Sequence, residues 1–320
     1  MRYRSLGRTG LRISEVGFGA WGIGGDAGGA VAYGPADRGE SLRALGAALE
    51  RGINFYDTSD FYGHGRSEEM IGEAFAGRRG EVVIASKTGL LGDGTTTDFS
   101  AAHLRRALEA SLKRLRTDYV DLYQLHSPPP EALKDDVVSA LELLQQEGKV
   151  RAFGLSARSP EEGKAALERF GFPALQVNFN LIDSRAVDCG LFELAARENT
   201  GIVARTPLSF GFLTGRYEAG GNFHEKDHRR RWSPEQRALW AEAPELFRKI
   251  IGKMPGQTAA QFALRFCLSH ARVSSTIPGM LNPAQVEENA AAGDLPALEE
   301  AELRQISEIC GRSNFFAGKR

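Results

Sequence analysis

Eight times along the chain a short apolar run gives way to a polar loop and then to a stretch with helical spacing, and this alternation restricts the fold more than any other feature. The apolar runs, read as strands, cover residues 16–20, 54–59, 82–87, 120–126, 150–156, 174–180, 201–206 and 273–279. The helical stretches cover 40–51, 68–75, 101–115, 134–147, 160–170, 189–198, 258–270 and 283–292. Strict alternation requires parallel strands joined by right-handed crossovers. Eight such units close into an α/β fold of the (β/α)8 TIM-barrel type, whereas an open doubly wound sheet usually needs fewer. Three segments fall outside the repeat. Residues 3–13, with Gly7-Arg8-Thr9-Gly10 at their middle, predict an N-terminal β-hairpin; residues 215–255 predict a loop over the barrel mouth with an added helix after strand seven; residues 298–310 predict an extra C-terminal helix. No linker rich in Pro, Gly or Ser divides the chain, so residues 1–320 are expected to form a single barrel domain.

Charge narrows the range of partners. With 40 basic and 41 acidic residues the net charge is −1, which argues against a nucleic-acid or membrane-surface partner. No run approaches transmembrane length, and Met1-Arg2-Tyr3-Arg4 leads into no apolar signal segment. The cysteines Cys189, Cys267 and Cys310 are odd in number and far apart, fitting a reducing cytoplasm better than a disulfide framework. His64, His224 and His228 lack a second ligand at metal spacing and read as surface-loop histidines; no metal site is expected. Gly17-Phe18-Gly19-Ala20-Trp21-Gly22 satisfies a dinucleotide fingerprint, but Ile23-Gly24-Gly25-Asp26-Ala27-Gly28-Gly29 follows as flexible loop where that mechanism needs a helix N-terminus. This loop is expected to shape the substrate mouth.

In a barrel of this kind, chemistry collects at the C-terminal ends of the strands. Those exits carry Asp57 with Tyr62 just beyond, then Lys87, then His126, on strands two, three and four. A phenol with its ordinary pKa of about 10 is a poor acid at neutral pH. A neighbouring lysine favours the phenolate, and a buried carboxylate holds that lysine in place. A histidine can orient a carbonyl oxygen. Singly, each residue has an ordinary structural reading; four at consecutive exits form a proton-donating set.

At this point the chain resembles the aldo-keto reductases along nearly its whole length. The resemblance rests on Gly17-Phe18-Gly19-Ala20-Trp21, Asp57-Thr58-Ser59-Asp60-Phe61-Tyr62-Gly63, Ser86-Lys87, Leu125-His126-Ser127-Pro128, Gly154-Leu155-Ser156 and Gln176-Val177-Asn178-Phe179-Asn180. It also rests on Pro207-Leu208, Leu213-Thr214-Gly215-Arg216, Ile277-Pro278-Gly279 and Glu288-Asn289. It implies a cytoplasmic, metal-independent oxidoreductase that uses NADP, with NAD as the other option, on a small-molecule carbonyl or alcohol. By resemblance Tyr62 donates the proton, Lys87 lowers its pKa, Asp57 supports Lys87 and His126 orients the carbonyl. The resemblance further implies Ser156 and Gln176 at the nicotinamide carboxamide, and Ala20 and Trp21 near the ring. Pro207, Leu208, Gly215 and Arg216 would follow the pyrophosphate, and Glu288 and Asn289 would lie at the adenine. The chain departs from the family where Ala157 replaces an asparagine and Arg205 replaces a stacking aromatic. Gly279, Met280 and Gln285 stand where a basic set often meets the 2′-phosphate, so Arg216 or the run Arg229-Arg230-Arg231 is the expected source of charge. Two other readings of the site are a Schiff-base lyase using Lys87 and a non-catalytic cofactor-binding regulator. Trp21, Phe61, Phe179, Phe210, Phe212 and Trp232 suggest an aromatic pocket, with core packing equally open to the phenylalanines.

Overall fold

The computed structural model describes residues 1–26, 32–92 and 94–318. The chain opens with an antiparallel hairpin, β1 (Tyr3–Ser5) and β2 (Arg12–Ser14), joined through a 3₁₀ turn at Gly7–Thr9. The repeat then runs β3 (Phe18–Gly19), α1 (Arg38–Glu50), β4 (Phe55–Asp57), α2 (Arg66–Ala74), β5 (Val83–Thr88) and α3 (Ala101–Leu115). It continues with β6 (Val120–His126), α4 (Asp135–Gln146), β7 (Val150–Ser156), α5 (Pro160–Phe170) and β8 (Ala174–Asn178). A short α6 (Arg185–Asp188) and α7 (Leu191–Arg197) lead to β9 (Gly201–Arg205). The added helices α8 (Pro234–Leu246) and α9 (Arg248–Ile251) precede α10 (Ala259–Leu268), β10 (Val273–Thr276), α11 (Pro283–Ala291) and the terminal α12 (Glu300–Arg312).

Among the described residues β3 to β10 pair in chain order, each parallel to the next. Parallel bridges from Val16 to Thr276 and from Gly19 to Gly279 return the first strand to the last. Gly17 N donates to Thr276 O at 2.8 Å and Gly19 N to Pro278 O at 2.9 Å, closing the ring. Gly19 is required there, because a Cβ would lie 2.6 Å from the Ile277 carbonyl oxygen. The fold is the (β/α)8 barrel that the alternation predicts, with its hairpin and extra helices.

Two apolar clusters stabilise it, and strand periodicity separates them. Phe55, Ala85, Leu122, Ala152, Ala174 and Val203 point into the barrel, where Leu6, Leu11 and Ile13 of the hairpin region plug the end opposite the strand exits. Their neighbours Tyr56, Ile84, Tyr123, Leu155 and Leu175 point outward against the helices. All seven residues of β6 are buried, as a parallel strand covered on both faces requires. The interior is therefore filled at one end and left to polar side chains at the other.

Several local expectations shift. The sequence Ser67-Glu68-Glu69 predicts a helix start at the serine, but α2 begins at Arg66 with Gly65 at its N-cap in the left-handed region at φ 92°. Ser67 faces the barrel instead, donating to Ala20 O at 2.9 Å and accepting from Thr58 Oγ1 at 2.8 Å. Glu68 is buried beside it and held by Arg114 at 2.7 Å. The helix expected at 189–198 is α7, which starts at Leu191 because Gly190 at its N-cap takes φ 76°; the short α6 precedes it. In the loop expected after β3, Gly22–Gly24 form a buried 3₁₀ turn rather than flexible chain; Ala27, Gly28 and Gly29 lie outside the described residues. No helix among the described residues is long and apolar enough to cross a membrane. Cys189, Cys267 and Cys310 form no disulfide among the described residues.

Candidate active site

Parallel register brings the four strand-exit residues to one height. Asp57 ends β4, Lys87 is the last but one residue of β5, and His126 ends β6, while Tyr62 lies in the turn between β4 and α2. Lys87 pairs across to Gln124, and His126 to Ser156 of β7. Lys87 is fully buried, and its Nζ donates to Asp57 Oδ1 at 2.6 Å, to Thr58 O at 2.9 Å and to the Tyr62 hydroxyl at 3.1 Å. An ammonium has three donors, so each has a partner. Asp57 Oδ2 in turn accepts from Gln176 Nε2 at 2.7 Å and Gln124 Nε2 at 3.3 Å. His126 Nδ1 meets Ser59 Oγ at 3.1 Å.

The electrostatics of this cluster follow from burial set against close charge. Burial raises the pKa of the Tyr62 phenol; Lys87 opposes this, but the net shift is upward. The expectation that lysine would lower it thus names a real contribution that desolvation outweighs, and Tyr62 is a neutral O–H over the physiological range. Burial works to lower the pKa of Lys87, but Asp57 and Tyr62 beside it outweigh that, so the ammonium is favoured. His126 is pushed well below its usual range by burial, with Lys87 and Arg205 adding to the effect, so its ring is neutral at neutral pH.

From this cluster a cleft of roughly 390 Å³ runs along the strand exits. Of the residues singled out in the sequence, Trp21, Asp57, Tyr62, His126, Gln176, Arg205, Pro207, Leu208, Arg216, Gly279, Gln285, Glu288 and Asn289 line it. Ala20 does not: it is buried, with its N–H on Asp57 O at 2.9 Å. Ser156 lies behind Gln176, donating to its Oε1 at 3.2 Å. Gly215 ends the 3₁₀ turn Ser209–Thr214 with φ 70°, between the lining residues Thr214 and Arg216. Arg205 reaches across β8 to the end of β7, its Nη2 donating to Ala157 O at 2.9 Å, while its Nε is buried without a partner. Burial lowers the pKa of this guanidinium.

The aromatic expectation divides. Trp21, Phe61 and Phe210 line the cleft, whereas Phe179 and Phe212 are fully buried core and Trp232 packs on Phe210 at 4.4 Å. Tyr33, unremarked in the sequence, also lines it, 5.3 Å from the Trp21 ring. His228 is not a surface histidine. It is buried, its Nδ1 lies 2.8 Å from Ala32 O, and its ring sits 4.4 Å from Trp21 and 5.0 Å from Tyr33. Arg229 likewise leaves solvent: Asp227 holds it at 2.6 Å, and its guanidinium lies 4.6 Å from the Tyr217 ring centre and 4.9 Å from that of Tyr33. The segment after β9 is thereby fastened to the loop after β3 across the cleft, as Ala32 and Tyr33 bridge to Asp227. Arg216 pairs with Glu288 at 2.7 Å.

Gln124 and Ser59, not singled out in the sequence, touch the candidate site through Asp57 and His126. Gln124 was recoverable, since it sits two residues before His126 and so shares its inward face. Asp60, beside Ser59, is pushed up to about 6 by burial, against hydrogen bonds from Thr88 and Ser59. A folded-state value above the ordinary 3.8 means that the native chain binds the extra proton between these values, so the group's stability is present below 3.8 and lost as pH rises through 6. Asp60→Asn is therefore expected to stabilise the protein at pH 8, on the order of 1–3 kcal/mol, with the gain vanishing near pH 4. Chemical denaturation at the two pH values checks this.

The Aldo/keto reductase family model matches residues 15–310. "Uncharacterized oxidoreductase YqkF" of Bacillus subtilis is 31% identical over 316 residues, covering 96% of this chain and 95% of that protein. "Probable voltage-gated potassium channel subunit beta" of Arabidopsis thaliana is 30% identical over 331 residues, covering 97% and 96%. Among solved structures, the holo form of aldo-keto reductase AKR11C1 from Bacillus halodurans superposes with a TM-score of 0.81 at 28% identity, over 100% of this chain and 99% of that one.

Proposed function

The chain belongs to the aldo/keto reductase family, and from that premise we propose that it reduces the carbonyl of a small aldehyde, ketone or sugar with a nicotinamide dinucleotide, Tyr62 supplying the proton. The observation that carries the reading is the buried chain Asp57–Lys87–Tyr62, with contacts of 2.6 and 3.1 Å, ending at a cleft. The chemistry of the cleft suits the cofactor. Arg205, in its wall, has a buried Nε without a partner. The N-terminus of α11, an element whose Gln285, Glu288 and Asn289 line the wall, favours an anion.

When bound, the reduced nicotinamide supplies the hydride that attacks the carbonyl carbon. The chain's own residues manage the oxygen. Tyr62 accepts a hydrogen bond from Lys87 Nζ, which leaves its own proton free to point at the substrate oxygen. As that oxygen gains negative charge it takes the Tyr62 proton, and the phenolate left behind is stabilised by the ammonium 3.1 Å away. Asp57 keeps Lys87 charged and fixed. His126, neutral, offers a second donor to the same oxygen when its ring proton sits on Nε2. Trp21, Tyr33, Phe61 and Phe210 give the mouth an apolar, aromatic wall suited to an aldehyde or a sugar ring.

Of the other readings, a Schiff-base lyase is disfavoured because Lys87 holds its three protons on three acceptors and is pushed toward the charged form. A regulator without turnover gains weight from the likeness to the potassium channel subunit, and the assembled tetrad weighs against it. A panel of aldehydes, ketones and sugars, assayed with reduced and oxidised cofactors, tests the proposal; cofactor binding with no turnover on any of them overturns it.

We favour NADPH as the donor. The Arg216–Glu288 pair is largely exposed on the arginine side, and exposed pairs are worth about 0–1 kcal/mol, so Arg216 is free to exchange Glu288 for a phosphate. Turnover with NADPH is expected to exceed that with NADH, and Arg216→Ala to cut the preference about tenfold, the worth of one charge-assisted hydrogen bond. A strong NADH preference in the unmodified protein contradicts this.

A further inference from the structure

The segment Ser59-Asp60 touches the site from behind, and the tetrad chemistry leaves it without a role. Ser59 Oγ lies 3.1 Å from His126 Nδ1, 3.3 Å from Asp60 Oδ1 and 3.3 Å from Lys87 O, and it accepts the Phe61 N–H at 3.1 Å. Asp60 Oδ2 accepts from Thr88 Oγ1 at 2.7 Å. A hydroxyl has one proton and two lone pairs. One lone pair is committed to Phe61 N–H, so Ser59 has a single acceptance and a single donation left to share between its two side-chain neighbours.

We propose that Ser59 and Asp60 set the tautomer of His126, and through it whether the ring nitrogen facing the cleft donates or accepts a hydrogen bond. The bookkeeping allows two arrangements of the same atoms. With Asp60 protonated, its O–H donates to Ser59, Ser59 donates to His126 Nδ1, and the ring proton sits on Nε2, ready to donate to a carbonyl oxygen. With Asp60 ionised, Ser59 donates to the carboxylate, His126 Nδ1–H donates to Ser59, and Nε2 is a bare acceptor. The two arrangements differ by one proton at Asp60 and by the direction of each hydrogen bond between Asp60 and the ring. The alternative acceptor, Lys87 O, is bound by Asp60 N at 3.2 Å and is equally present in both.

The groups around this chain leave the carboxyl as its titrating member. Asp60 is faced by Thr88 and Ser59, by Glu68 and Arg114, which pair with each other at 2.7 Å and so largely cancel, and by the buried Tyr123. His126 is faced by the cations Lys87 and Arg205 and by the Tyr62 and Phe61 rings at 5.8 and 6.2 Å; burial first, and then both cations, hold it neutral. Burial brings Asp60 to about 6, within the range where a cell or an assay can move it. The consequence for turnover rests on the carbonyl-reductase reading; the tautomer itself does not.

The test is a side-chain ¹⁵N NMR titration of the full-length protein with bound NADPH, the His126 resonances being assigned from their loss in His126→Gln. The expected result is Nε2–H at pH 5 and Nδ1–H at pH 7.5, with a midpoint near 6; Asp60→Asn, whose amide donates to Ser59 at every pH, holds Nε2–H throughout, and Ser59→Ala abolishes the transition. One tautomer across the whole range in the unmodified protein overturns the proposal whether or not either variant folds. In the kinetic arm, kcat/KM for carbonyl reduction falls about tenfold through the same midpoint, as the loss of one hydrogen bond predicts, and stays level in Asp60→Asn. A tautomer change without turnover on any carbonyl sinks the reductase reading and leaves this one standing.

Discussion

Tyr62→Phe is expected to lower carbonyl reduction by about 10²–10⁴-fold, the usual contribution of a positioned acid, while dinucleotide affinity stays near normal. The substitution removes an oxygen and little else. Lys87 Nζ keeps its place 4.7 Å from the ring centre, and the ring keeps its neighbours Trp21 at 6.4 Å and His126 at 5.8 Å. Lys87 still has Asp57 and Thr58 O as acceptors, so the cost in stability is that of one hydrogen bond, about 1 kcal/mol. Because burial raises Tyr62 despite the ammonium beside it, the unmodified protein holds this phenol protonated across the neutral range. Alcohol oxidation needs the phenolate, so the oxidative rate is expected to climb with pH where the reductive rate does not depend on Tyr62 ionising. Stopped-flow binding of NADPH beside steady-state turnover separates the two effects, and near-normal turnover in Tyr62→Phe removes this residue as the proton donor.

What could be read from the chain alone was whatever strand order carries. Asp57, Lys87 and His126 lie at three successive exits, and parallel pairing in chain order brings successive exits together, so period and order sufficed to group them. Tyr62 came with them because its turn is short and tied to β4. Contacts made across the barrel mouth are different in kind. Tyr33 meets Asp227 and Arg229 across nearly two hundred residues of chain, and no local pattern records the meeting. His228 looked polar and loop-bound, yet four aromatic rings around it provide the apolar surface that buries it. Ser67 misled for a related reason. Its sequence matches a helix cap, but Gly65 can take the left-handed turn at less cost, and the barrel wall offers Ala20 O to the hydroxyl.

Lys87→Met is expected to damage stability and activity together, and the damage separates when Asp57 is changed as well. Lys87 and Asp57 are both buried, at 0% and 2% side-chain exposure, with Nζ and Oδ1 2.6 Å apart. Removing the ammonium alone leaves a carboxylate inside the barrel with two amide donors, Gln176 and Gln124, and breaking such a pair costs about 3–5 kcal/mol. Asp57→Asn alone strands the ammonium and costs a similar amount. The pair of changes together removes both charges and keeps the volume, so its stability is expected to lie well above the sum of the single losses. Turnover should not follow. In the double variant Tyr62 retains the burial that raises its pKa and loses the cation that opposes it, so the phenolate left after proton transfer has no partner. Thermal unfolding and turnover measured on the three variants make the cycle: recovered stability with turnover still lost assigns Lys87 its chemical role, whereas recovered turnover in the double variant shows that its charge serves only the fold.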